Sequence, residues 1–209
     1  RLDRAKLDAT DLSGAKLEGV SFEGATLKRT RLEGAILNGV DLRSAVLESV
    51  DLTHSELRGA KRPNAQFAGV RMRGVNLESA ELAGGVFSEA DLTGAQLNHA
   101  DLSQANFERA NLRDAQCQGV DFRGAQLSHM DARGAHLSES LLDQANFSHV
   151  NLEGAKAVGV NWKGISSLNG VSWRRAQLDH GQLSELDLSH HCFREASLIE
   201  VDLRDAQLE

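Results

Sequence analysis

Leu or Phe returns at every fifth residue along almost the whole chain. From Leu2 the series runs through Leu7, Leu12, Leu17, Phe22 and Leu27 to Trp162, and 27 of its 33 positions are Leu or Phe. A second run, one residue out of phase, goes from Leu168 through Trp173, Leu178, Leu183, Leu188, Phe193, Leu198 and Leu203 to Leu208. On an α-helix five steps leave the apolar residue about 140° beyond a full turn, which smears it over every face. On a flat strand five is odd, so successive Leu side chains would point to opposite sides. The chain must therefore turn once per repeat. Self-similarity at a fixed short period marks a solenoid, whose repeats bury apolar surface only by stacking.

A second position is restricted as well. Two residues before the Leu stands a small residue, as in Ala5, Thr10, Ala15, Val20, Ala25, Thr30, Ala35 and Val40. The other three positions carry mostly charged and polar residues and Gly. All seven Phe and both Trp fall at the large position, as expected if it forms the core.

The pattern is A(D/N)LXX, and stretches such as Ala90-Asp91-Leu92-Thr93-Gly94, Ala100-Asp101-Leu102-Ser103-Gln104 and Ala110-Asn111-Leu112-Arg113-Asp114 match it letter for letter. It resembles the pentapeptide-repeat family over essentially all of residues 1–209. The resemblance implies an all-β fold, a right-handed quadrilateral parallel β-helix with four pentapeptides per coil. Sorting the large positions by a 20-residue step agrees: Phe67, Phe87, Phe107 and Phe147 share one face, and Phe22 and Phe122 another. About ten coils at roughly 4.8 Å each predict a rod of order 50 Å, one continuous domain over 1–209.

Composition narrows the function classes. No run of 18 apolar residues and no signal peptide is visible. Net charge is −7, from 30 acidic against 23 basic residues, which disfavours direct nucleic-acid binding through a basic patch. Cys117 occupies a core position and Cys192 an outward one nearly four coils away, too far for a disulfide. The expectation is a reducing, bacterial cytoplasmic location, with a secreted effector as the second reading. The chain starts and stops in mid-pattern, and it is read as a segment of a longer bacterial protein.

The breaks in the pattern are the candidate contact points. Arg62-Pro63 puts Arg at a core position, and a bulge at 62–64 that turns Arg62 outward is expected, because a buried unpaired guanidinium is costly. Gly164-Ile165-Ser166-Ser167 holds the extra residue that shifts the phase, expected as a bulge at 164–167. Beyond it Leu186 and His191 occupy the small inward position. Arg62, Pro63, Ile165, Leu186 and His191 are the residues singled out as partner-contact irregularities. Met130 and Ala132 read instead as a packing pair that exchanges its large and small slots.

Chemistry is sparse. His129 and His149 lie one coil apart, with His190 further along the same corner and Cys192 near it, but no metal-ligand spacing appears. The column Asp11, Arg31, Asp51, Arg71, Asp91, Asn111, Asp131, Asn151 alternates in sign at first and reads as a self-neutralising wall. No catalytic constellation or phosphate-cradling loop can be placed. Neither an enzyme nor a cofactor is expected.

The first functional reading is a non-enzymatic protein-binding or scaffold module with an unidentified protein partner. The resemblance also implies an alternative, mimicry of DNA that binds DNA gyrase or topoisomerase IV, as in quinolone-protection proteins of the family. Those relatives carry a C-terminal apolar helix for dimerisation, loops inserted between coils and a Phe-rich core, three features that depart from this chain. End-to-end or C-terminal dimerisation is a further expectation.

Overall fold

In the computed structural model, which describes residues 1–208, the backbone winds as a right-handed, four-sided parallel β-helix of 20 residues per coil. Lys6 pairs with Thr26, Asp11 with Arg31, Lys16 with Ile36 and Ser21 with Asp41, one parallel rung on each face. Each rung is held from both sides: Leu7 N–H donates to the Thr26 carbonyl at 2.8 Å, and Thr26 N–H to the Ala5 carbonyl at 2.9 Å. The corner adds a third bond, Ala9 N–H to the Lys28 carbonyl at 2.7 Å. A fourth closes the turn within the repeat, from Ala5 N–H to the Leu2 carbonyl at 3.1 Å. Where the rungs pair on both sides, this ladder satisfies four of the five N–H groups in a pentapeptide.

The fifth N–H, on the residue after the core Leu, has no backbone acceptor, and it explains the Asp/Asn of the motif. Asp11 accepts from Ser13 N–H at 3.0 Å, Asp101 from Ser103 at 3.1 Å, Asn111 from Arg113 at 3.2 Å and Asn151 from Glu153 at 3.0 Å. An Asx side chain capping the N–H two residues on is the local bond these residues favour. Where that residue is absent, the previous coil supplies the acceptor: Asn38 takes Arg58 N–H at 2.9 Å, Asn98 takes Gln118 N–H at 3.0 Å and Ser138 takes Val158 N–H at 3.2 Å.

Each corner turns on a residue with φ between +54° and +75°. A type II turn needs this sign at its third residue. Among these corner residues 24 are not glycine, so coil closure imposes the conformation on Arg, Glu, His and Gln alike.

The tube is filled by stacked rungs. Phe67, Phe87 and Phe107, each 20 residues from the next, stack with centroids 5.2 and 4.6 Å apart, which is direct evidence of the coil length. Further on, Phe147, Trp162 and Trp173 meet edge to face at 5.4 and 4.9 Å. Offset and T-shaped pairs of this kind contribute about 0.5–1.5 kcal/mol beyond burial. Met130 and Ala132 are both buried, sharing one rung's volume. Polar residues in the small slot return their hydroxyls to backbone: Thr30 donates to the Leu7 carbonyl at 2.7 Å and Ser140 to that of Cys117 at 2.8 Å.

Two departures from the sequence expectations follow. Arg62 does not turn outward; it is 8% exposed and occupies the core slot. Nor does an extra residue bulge at 62–64, because Lys61 pairs with Glu81 and the N–H groups of Arg62 and Asn64 reach the Glu81 and Ala83 carbonyls at 2.9 and 2.8 Å. Pro63 fits because it stands at the one position whose N–H the ladder never uses, and Pro suits the second residue of such a turn. At the phase shift the pairing step lengthens from 20 to 21, as in Asn146 with Ser167 and Asn161 with Gln182, and then returns to 20. Ser166 N–H and Oγ both donate to the Ala145 carbonyl there, at 2.9 and 3.0 Å.

Candidate interaction surface

The outward residues form columns along the rod, and their charges largely cancel. In the column that starts at Asp11, Arg31 reaches Asp11 at 3.0 Å and Arg71 reaches Asp51 at 3.0 Å. Other faces repeat this with Lys28–Glu48 at 2.8 Å, Lys61–Glu81 at 2.7 Å and Arg175–Glu195 at 2.6 Å. Exposed pairs of this type contribute about 0–1 kcal/mol each. Their larger effect is to suppress a field of one sign. The longest all-acidic run of paired rungs is Glu81, Asp101 and Asp121, ended by Lys61 on one side and Leu141 on the other. Within it Arg123 grips Asp121 at 2.6 Å. Burial raises the Asp121 carboxyl, but the Arg123 hydrogen bonds outweigh it and hold the group below its ordinary value.

The chief irregularity is a seam below Arg62. Asp41 and Lys61 do not pair, nor do Val46 and Gln66, although Ile36–Glu56 and Asp51–Arg71 close the flanking faces. Across the gap the N–H groups of Leu42, Ser44, Leu47, Lys61 and Gln66 have no backbone acceptor. Arg62 Nη2 donates to the Ala45 carbonyl at 3.1 Å, while Nη1 has no partner. Burial pulls the guanidinium pKa down, opposed by the nearby Asp41 carboxylate. Asp41 is itself clasped by Arg43, with Nη2 at 2.7 Å. Shallow clefts mark the seam on both faces, one lined by Val40, Asp41, Arg43, Lys61 and Pro63, the other by Val46, Leu47, Glu48, Gln66 and Ala68.

The other residues singled out lie far along the rod from that seam. Ile165, just past the Gly164 corner, is half-buried against the core. Leu186 is likewise half-buried, and its carbonyl accepts Gln207 N–H at 2.9 Å. His191 is half-buried and bonded to Trp173, whose Nε1–H donates to His191 Nδ1 at 3.0 Å. The five residues therefore form two separate regions, not one site. The rings of His129 and His149 stack 4.8 Å apart, but among the described residues no three His, Cys, Asp or Glu converge as metal ligands. Cys117 is buried, which pushes its thiol up to about 12, and Cys192 is exposed.

One recurring contact went unread in the sequence. Corner side chains lean onto the corner of the next coil, where Gly makes room. His54 lies over Gly74, His99 over Gly119 and His149 over Gly170, each so close that a Cβ would collide with the imidazole. The available signal was a corner His, Asn or Gln followed by Gly one coil later.

Comparison with known proteins agrees with this geometry. The Pentapeptide repeats family matches in eight copies, spanning residues 5–43, 25–61, 63–98, 90–128 and 121–156. The chain belongs to the pentapeptide-repeat family. Among solved structures it is similar to HetL, a pentapeptide-repeat protein involved in heterocyst differentiation regulation in the cyanobacterium Nostoc, at 24% identity and a TM-score of 0.62, covering 97% of this chain and 87% of that one. It is also similar to trypsin-treated QnrB1, a plasmid-mediated fluoroquinolone resistance protein, at 23% identity over 82% of this chain and 85% of that one, with a TM-score of 0.42. No curated protein matches the chain.

Proposed function

We propose that the rod is a non-enzymatic protein-binding or scaffold module that presents flat faces to a protein partner. The observation that supports this reading most is the order of the outward columns. They are rigidly spaced by the rungs, many of their charges are paired between coils, and among the described residues no three His, Cys, Asp or Glu converge as metal ligands. Such a surface offers many weak, well-positioned polar contacts, and repeat proteins use extended faces of this kind for recognition. Among the described residues no helix is long and apolar enough to cross a membrane.

The test is to place a photo-crosslinking side chain on each face in turn, at Thr93, Gln96, Ser103 and Glu108, in cells that make the protein. Adducts with one protein, concentrated on one or two adjacent faces, are expected. Absence of an adduct from all four faces would refute the reading. Mimicry of DNA toward gyrase or topoisomerase IV is less well supported, because the longest acidic column spans three rungs, roughly 10 Å. A gyrase supercoiling assay separates the two: inhibition or drug protection at micromolar protein would favour mimicry.

A further inference from the structure

We propose that His191 is a proton-sensitive latch, closing one corner of the rod on Trp173 when neutral and releasing it when protonated.

The latch stands where the ladder is missing. Ser167 and Asp187 do not pair, nor do Ser172 and Cys192, although Gln177–Ser197 and Gln182–Asp202 hold the other faces of the same coil. The N–H groups of Leu168, Gly170, Trp173 and Cys192 find no backbone acceptor across this gap. In their place stands a side-chain bond, Trp173 Nε1–H to His191 Nδ1 at 3.0 Å, with Phe193 stacked on the indole at 5.7 Å. His191 reaches the indole because it replaces the small inward residue of the repeat. A cleft lined by Asn169, Gly170, Val171, Asp187, Ser189 and His190 opens beside the ring and admits water.

The chemistry of the switch lies in donor count. Indole nitrogen is a donor only, so Nδ1 must be unprotonated to accept, and the ring's single proton then resides on Nε2. Imidazolium carries a proton on both nitrogens, which sets two N–H donors against each other at 3.0 Å. The ring must then rotate away and the indole tie is lost, while Arg175, through its N–H to the Arg194 carbonyl at 3.0 Å and its ion pair with Glu195 at 2.6 Å, and the opposite faces keep the coil closed.

The ionisable groups acting on the ring are Asp187, which favours the charged form, and His190, which opposes it. On the preceding coil Val171 and Trp173 carry no charge, and Arg174 lies by Glu153 at 3.7 Å. Burial dominates and lowers the His191 pKa, against Asp187 and the Val171 carbonyl. A histidine depressed in the closed state keeps that state favoured above its open value, about 6.5, and loses it as pH falls below.

The test follows the two indole N–H signals by ¹⁵N NMR between pH 7.5 and 4.5, with assignments from Trp173→Phe. The Trp173 signal should shift and gain rapid solvent exchange on acidification, while that of Trp162 stays in place. In His191→Gln, whose amide oxygen still accepts but does not titrate, the transition should vanish. In Asp187→Asn it should survive with a lower midpoint. An unmoved Trp173 signal, a transition persisting in His191→Gln, or simultaneous change at both indoles would overturn the proposal.

Discussion

Arg62 Nη2 caps the carbonyl of Ala45, an acceptor that a rung N–H fills one coil earlier and one coil later. Val46 N–H serves Ala25 at 2.9 Å and Val86 N–H serves Ala65 at 2.7 Å, but Gln66 N–H does not reach Ala45. A side chain has displaced a main-chain bond, and the coils part along two faces as a result.

Arg62→Leu should therefore close the seam. The substitution removes a buried charge whose Nη1 lacks a partner and restores the residue type of the surrounding rungs. Replacing a buried charge with a fitting apolar residue is often stabilising, here by about 1–3 kcal/mol. Thermal unfolding should show a higher midpoint, and loss of stability would contradict this reading of the seam.

Phe87 lies between Phe67 and Phe107 in the aromatic stack, fully buried. Phe87→Ala should destabilise by about 3–5 kcal/mol, the usual range for such a truncation, as measured by urea titration. The effect should be larger than for the peripheral Leu12→Ala, because Leu12 is only partly buried.

The Asx bond predicts a split between two substitutions at one position. Asp101 accepts both the backbone N–H of Ser103 and its hydroxyl, at 3.1 and 2.7 Å. Asp101→Ala should cost about 1 kcal/mol, as for loss of a comparable cap, whereas Asp101→Asn keeps the acceptor and should cost much less. Equal losses in urea titrations would mean that charge, not the hydrogen bond, sets the preference.

Acid should loosen the rod through the same groups. Hydrogen bonds from Ser13 and Ser189 lower the pKa of Asp11 and Asp187, and those from Arg43 and Arg204 lower Asp41 and Asp202. At Asp51 burial pulls upward, and hydrogen bonds from Thr53 with the ion pair to Arg71 outweigh it. Carboxyls depressed in the folded state contribute stability that is complete above their unfolded value, near 3.9, and disappears as pH falls. Through these carboxyls the melting temperature should fall steeply from about pH 5 toward pH 3, beyond any smaller change that His191 contributes below about pH 6.5.

The period of five made the core legible, because only an inward position keeps Leu and Phe at fixed spacing while its neighbours vary. Phe67, Phe87 and Phe107 carried the coil length too, since a shared face at a 20-residue step predicts the stack that is found. Arg62 was misread because residue type exposes the cost of burial without revealing that the Ala45 carbonyl would lose its own donor. Pro63 is accommodated without a bulge because whether a missing N–H matters depends on which N–H the ladder uses, and residue type alone does not show that. The contact between Trp173 and His191 joins residues 18 apart across a gap in the ladder, and no local pattern encodes that gap.

The most direct test of a 20-residue coil is a distance along one column. Arg73 and Arg174 follow paired rungs that climb five coils from Arg71 through Asp91, Asn111, Asp131 and Asn151 to Ser172. With Cys192→Ser, spin labels at these two positions should lie about 24 Å apart, five spacings of roughly 4.8 Å. Moving the first label to Arg113 should shorten this by about 10 Å. A separation well above 40 Å, or one that ignores the number of coils between the labels, would contradict the stacked-rung architecture.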